Sequence, residues 1–179
     1  VIVDHDGPGG KSYTVFESGA ILMYLAEKSG KFMPKDMASK YEVIQWLMIQ
    51  VSGIGPAFGN FTHFNLFAPK PNDYALSRYK TELLRLYDLL NKRLGEAKYL
   101  GGKEYSIADM ATFPWTRQHQ AQGAALDNLP HFKRWFEDVS ARPAVKAMIA
   151  KQGEIKSSRE TATDEHKDRF FGRGKYARA

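Results

Sequence analysis

An acid and a hydroxyl standing side by side ahead of a helix can hold the two ends of an amino acid. Glu17 and Ser18 in the run Val15-Phe16-Glu17-Ser18-Gly19-Ala20-Ile21-Leu22 form such a pair. The first helical turn leaves backbone N–H groups unpaired and carries a partial positive charge, so a ligand carboxylate is stabilised there. The Ser18 hydroxyl can donate to the same carboxylate, and Glu17 can take the ligand's ammonium group. The competing reading is that Ser18 caps the helix. Further along, Phe58, Phe61, His63, Phe64 and Phe67 can wall an apolar pocket or pack between helices. The histidines His5, His63, His119, His131 and His166 show no metal-ligand spacing and there is no cysteine, so no metal site is expected. Asp4-His5-Asp6 lies in a turn, where three adjacent residues do not give triad geometry.

These groups need a frame. Val1 to Val3 and Tyr13 to Phe16 are β-prone runs joined by Asp4-His5-Asp6-Gly7-Pro8-Gly9-Gly10-Lys11-Ser12, which predicts a hairpin. Ile21, Leu22, Tyr24 and Leu25 then recur at helical spacing, with Gly30 placed to end the helix. A hairpin and one helix cannot stand alone. After the connector Phe32-Met33-Pro34-Lys35-Asp36, everything is helical in period. A helix starts at Ser39 or Lys40 and carries Val43, Ile44, Trp46, Leu47 and Val51, and Gly53-Ile54-Gly55-Pro56 is expected to interrupt or end it. Asp73 is expected to cap an amphipathic helix with Leu76, Tyr79, Leu83, Leu86, Leu90 and Leu94 on one face, stopped near Gly95. Ser106-Ile107-Ala108-Asp109 matches a capping box opening a helix that carries Trp115, Arg117 and His119. Pro130 and Pro143 suit the starts of two more, the first with Phe132, Trp135, Phe136 and Val139 inward. Trp46, Trp115 and Trp135 lie on apolar helical faces, where core packing is ordinary. The sequence divides into 1–30, a linker 31–38, a helical domain 39–152, and a polar basic tail 153–179, mobile or draped over the surface through Arg173-Gly174-Lys175-Tyr176.

The chain has 179 residues, 43% of them hydrophobic, and a net charge of +6, which suits one substantial core or two small ones. No apolar window is long enough to span a membrane, and nothing resembles a signal peptide. The absence of cysteine excludes disulfides and thiolate catalysis and fits a reducing compartment, so a cytoplasmic location is expected. The positive charge raises nucleic-acid binding, but residues 151–179 alone hold four Lys and four Arg against five acids, which is +3. Elsewhere the signs are mixed along helices, so neither nucleic acid nor membrane is an expected partner.

The run from Val15 to Glu27 and the box Tyr105-Ser106-Ile107-Ala108-Asp109-Met110-Ala111 resemble glutathione transferases. Gly53-Ile54-Gly55-Pro56, His63-Phe64 and Thr112-Phe113-Pro114-Trp115 narrow the likeness toward the bacterial nu class, similar to glutathione-dependent disulfide reductases as much as to conjugating transferases. The resemblance implies a mainly α fold with a small α/β part: a partial thioredoxin-like domain, hairpin plus helix, followed by the all-helical C-terminal domain. It implies that Glu17 and Ser18 hold the γ-glutamyl end of glutathione, and that Ser106 and Asp109 are structural. It places the second-substrate side near Phe58, His63, Phe64, Trp115 and His119, with Arg117 facing a glycyl carboxylate or a surface salt bridge. It also implies that the family's first strand, helix and second strand, with the residue that polarises the thiol, lie upstream of Val1, so that the chain is a truncated form.

The function expected is therefore a glutathione-dependent transferase or disulfide reductase, with glutathione as co-substrate and a small electrophile or disulfide as second substrate. It requires no metal, and the partner implied is a second copy of the chain. The alternative is a non-catalytic module for dimerisation or partner binding.

Overall fold

The computed structural model of the chain describes residues 1–155 and 161–172. The expectation for Arg173 to Tyr176 lies outside the described residues. At the N-terminus, β1 (Ile2–Asp4) and β2 (Tyr13–Val15) pair antiparallel, with Ile2 opposite Val15 and Asp4 opposite Tyr13. Asp4 ties this hairpin to α1 (Ser18–Ser29). Its Oδ2 accepts from Lys28 Nζ and from the Tyr24 hydroxyl, the latter at 2.6 Å, while Oδ1 accepts the Asp6 N–H at 3.0 Å. Lys28 first, then Tyr24, hold the Asp4 carboxyl down at about 2, and the same bond pushes the Tyr24 hydroxyl up to about 12. Gly30 ends α1 as expected, at φ 66, with Lys31 N–H reaching back to Ala26 O at 3.2 Å. The inward residues of α1 are Gly19 and Ala26, whereas Leu25, read as an apolar-face residue, is exposed.

From Met37 to Phe67 the backbone is helical throughout. It comprises α2 (Met37–Ile49), a π-helical turn (Gln50–Ile54), α3 (Gly55–Thr62) and a second π-helical turn (His63–Phe67). The break expected at Gly53-Ile54-Gly55-Pro56 does not occur. Pro56 has no N–H to donate, and the wider turn before it, closed by Gly55 N–H to Gln50 O, absorbs the mismatch so that the helix continues. α2 also begins two residues before Ser39, because Asp36 caps it by accepting the Ser39 N–H at 2.9 Å.

α4 (Asp73–Glu96) is the longest element. Its cap position is Asn72 rather than Asp73, and Gly95 lies inside it rather than ending it. Gly95 is there for closeness: an added Cβ would stand 3.0 Å from the His131 ring. Then come α5 (Ile107–Thr116), α6 (Pro130–Ala141), α7 (Pro143–Glu154) and α8 (Asp164–Phe171). α4 packs on α3 and α6, and α2 on α5. Leu47, Phe58, Leu83, Leu90, Phe132, Trp135 and Val139 are fully buried at the centre, each such side chain contributing about 1.5–3 kcal/mol. Tyr87 joins the same face of α4 unforeseen, its ring 5.1 Å from Phe58.

The capping box is present. Asp109 Oδ2 accepts from Ser106 N–H at 2.9 Å, and the Ser106 hydroxyl faces the first turn of α5. Asp109 does more than close the box: its Oδ1 takes Leu100 N–H at 2.9 Å and Trp135 Nε1–H at 2.8 Å, pinning the Tyr99–Gly102 turn and α6 to α5. Burial pushes its carboxyl upward against the pull of these donors.

Candidate functional site

The corner formed by β2 and α1 differs from an ordinary capped helix. Glu17, not Ser18, holds the cap position, and its side chain makes no capping bond. Ser18 is the first helical residue. Both are exposed, so the first turn of α1 presents its N–H groups, a hydroxyl and a carboxylate together to solvent. Glu17 reaches this arrangement at φ 67 and ψ 123, a left-handed φ that costs a non-glycine residue about 1–3 kcal/mol. The chain turns sharply there, and α1 sets out with its N-terminus uncovered.

The inner wall of the corner is the long helical run. Gly19 lies so close to Val51 that an added Cβ would meet its Cγ2 at 3.0 Å. One turn on, Gly55 and Gly59 form a flat track for the Trp115 indole, whose ring atoms would stand 3.5 and 3.7 Å from added Cβ atoms. Val51 and Gly59 are eight residues apart on this run, or about 12 Å of axial rise. Trp115, 39% exposed, forms one wall of a cavity of about 400 Å³ that is also lined by Thr62, His63, Phe67, Arg117, Gln122 and Phe171.

The second π-helical turn carries both His63 and Phe67 to this cavity. Phe171 of α8 closes the other side, stacked on Phe67 at 5.1 Å and set against His63 at 5.2 Å. The polar side is built from the end of α5. Arg117 donates to Gln152 Oε1 of α7, and Gln122 accepts from the Tyr87 hydroxyl while its Nε2 holds the Trp115 carbonyl at 3.1 Å. Pro114 removes an N–H from α5, which ends at Thr116, so Arg117 and His119 fall beyond the helix that was expected to carry them.

The structure thus brings His63, Phe67, Trp115 and Arg117 together and separates three other candidates. Phe58 is a core residue against Tyr87, with no surface to offer a ligand. Phe64 stacks on Tyr79 at 5.4 Å on the far side of the π turn. His119 is buried, its Nδ1 at 3.2 Å from Ala124 O and its ring edge-on to Phe136 at 5.1 Å. Arg117 faces an amide rather than the acid of a salt bridge. Gln122, Gln152 and Phe171 were not foreseen. The one signal for Phe171 was the Phe170-Phe171 pair, the sole adjacent aromatics in an otherwise polar tail.

Comparison with known proteins finds a match to the glutathione S-transferase C-terminal domain over residues 56–143. The chain is similar to the disulfide-bond oxidoreductase YfcG of Escherichia coli, with 45% identity over 151 residues, covering 84% of this chain and 70% of that protein. It is 42% identical over 140 residues to YghU of the same organism, another disulfide-bond oxidoreductase, covering 74% of this chain and 48% of YghU. Among solved structures, a glutathione transferase from Burkholderia graminis with two glutathione molecules bound per subunit matches with a TM-score of 0.76 and 42% identity, over 81% of this chain and 63% of that one. A glutathione transferase from Pseudomonas putida with one glutathione disulfide bound per subunit matches with a TM-score of 0.76 and 39% identity, over 81% and 66%. The chain spans between about half and about 70% of the two E. coli proteins.

Proposed function

We propose, from the premise that this chain belongs to the glutathione transferase family, that it binds the γ-glutamyl end of glutathione at Glu17 and Ser18 and takes part in glutathione-dependent transfer or disulfide reduction. The observation that carries this reading is the uncapped N-terminus of α1, with hydroxyl, carboxylate and open N–H groups facing solvent together. A zwitterionic amino-acid head fits it: the carboxylate on the helix turn and Ser18, the ammonium on Glu17. Bound glutathione supplies a thiolate, the nucleophile in both conjugation and disulfide exchange. The chain's own groups hold and orient it, and the cavity beside Trp115 receives the second substrate, an electrophile or a disulfide. Arg117 is suited to a glycyl carboxylate there. The disulfide choice is favoured by the relatives YfcG and YghU, named as disulfide-bond oxidoreductases.

The assembly is a homodimer in this reading. Met37, Tyr41, Ile44, Met48 and Val51 recur along the outer face of α2, four of them exposed, opposite the buried Val43 and Leu47. A helix apolar on both faces calls for a partner. The cysteine-free sequence fits a reducing compartment, and the location proposed is the cytoplasm. Retention on immobilised glutathione tests the site. Glu17→Ala and Ser18→Ala should each weaken retention about tenfold, one charge-assisted bond's worth, while circular dichroism stays unchanged. Retention indifferent to both substitutions would instead favour a non-catalytic module.

A further inference from the structure

We infer that the cleft between the end of α1 and the α4–α5 connection is a second ligand site, shaped for a planar aromatic molecule carrying two or more phosphate groups. The cleft has a volume of about 1090 Å³ and shares no lining residue with the Trp115 cavity. Ligand sites run roughly from 300 to 1000 Å³, so it has room for a nucleotide-sized molecule. Its lining holds five cations, Lys31, Arg93, Lys98, Lys103 and Arg142, against the three acids Asp36, Glu42 and Glu104. Two of those acids are engaged: Glu42 pairs with Arg93 at 2.7 Å and Asp36 caps α2. Among the described residues, Lys31, Lys98, Lys103 and Arg142 form no ion pair.

Two of these cations are already oriented. The Arg142 guanidinium lies 3.7 Å over the Tyr105 ring, and Lys98 Nζ stands 5.2 Å from the Tyr99 ring. Cations held on aromatic faces lose less freedom when an anion arrives. The aromatic component is Phe32, which adopts φ 64, a conformation that bulky side chains avoid, and leaves its ring 42% exposed. Its backbone is fixed because its carbonyl accepts Ile107 N–H at 3.2 Å, and its ring stands edge-on to Tyr105 at 6.1 Å. Core packing gives no reason to strain a phenylalanine and then leave its ring half in water. A ligand ring laid on Phe32, with its phosphates toward Lys98, Lys103 and Arg142, supplies one.

Calorimetry on the whole chain with ADP as the probe, beside adenosine and pyrophosphate, tests this. Saturable ADP binding is expected, with adenosine and pyrophosphate each at least tenfold weaker. Lys103→Ala and Arg142→Gln should each weaken ADP at least fivefold and leave retention on immobilised glutathione unchanged. Phe32→Gly, which suits the left-handed backbone and removes only the ring, should weaken ADP but not pyrophosphate. The inference is overturned if ADP shows no saturable binding, if pyrophosphate matches ADP, or if the Lys103 and Arg142 variants bind as the parent does.

Discussion

Glu17 occupies a backbone conformation that glycine would accept freely, and it makes no capping bond in return. Strain kept at one exposed residue points to a role outside folding. Glu17→Gly should therefore raise the melting temperature or leave it unchanged, since relief of about 1–3 kcal/mol offsets the extra chain entropy of glycine, while glutathione retention falls. A clear drop in melting temperature would show that the carboxylate serves the fold. Asp4 has the opposite character. Its carboxyl is held at about 2 by Lys28 and Tyr24, below the 3.8 of an unconstrained aspartate, so the native state favours the charged form. The stability it contributes is present above pH 4 and is lost as the pH falls toward about 2. Thermal melts of the parent and of Asp4→Asn should differ at pH 6 and converge by pH 2. A constant gap across that range would contradict the assignment.

Among the elements, α5 is the one whose start was legible and whose end was not. The capping box could be read from Ser106 and Asp109 because capping is a contact between residues three apart. That the same aspartate also holds Leu100 and Trp135 depends on where α6 lands, which a local pattern does not carry. Asp109→Ala would leave three buried N–H donors without partners, at about 1–3 kcal/mol each. A loss of about 3–5 kcal/mol in urea unfolding is expected, and a loss under 1 kcal/mol would refute this account of the network. Similar reasons explain the other differences. Pro56 reads as a helix stop unless a π turn precedes it, and a π turn has no period of its own to detect. The division of the aromatic run into core Phe58, surface Phe64 and cavity His63 and Phe67 follows from that same turn. α8 was hidden because its stability rests on Phe171 meeting residues roughly a hundred positions earlier.

At the scale of the whole molecule, the outer stripe of α2 is the largest apolar feature that this chain leaves uncovered on a single helix. A stable protein interface buries roughly 800 Å² on each side, and Tyr41 and Met48 stand near the middle of the stripe. Met48→Glu, combined with Tyr41→Glu, should convert a dimer to a monomer in sedimentation velocity, with the far-ultraviolet spectrum preserved. A parent that sediments as a monomer at high concentration would remove this prediction. The general architecture, hairpin then helix then helical bundle, was readable from periodicity and breakers, because each element announces itself locally. How the Glu17 corner is joined to the Trp115 cavity was not, since that depends on one helical run staying unbroken from Met37 to Phe67. The two π turns in that run each act as an extra residue let into an α-helix. Removing one residue from Gln50–Ile54 would convert that turn to ordinary α geometry and rotate everything after it by about 100°, swinging His63 and Phe67 around the axis while Val51 keeps its place. Length changes of a single codon at this joint are therefore a means by which relatives could re-aim one half of their chemistry and leave the other half alone.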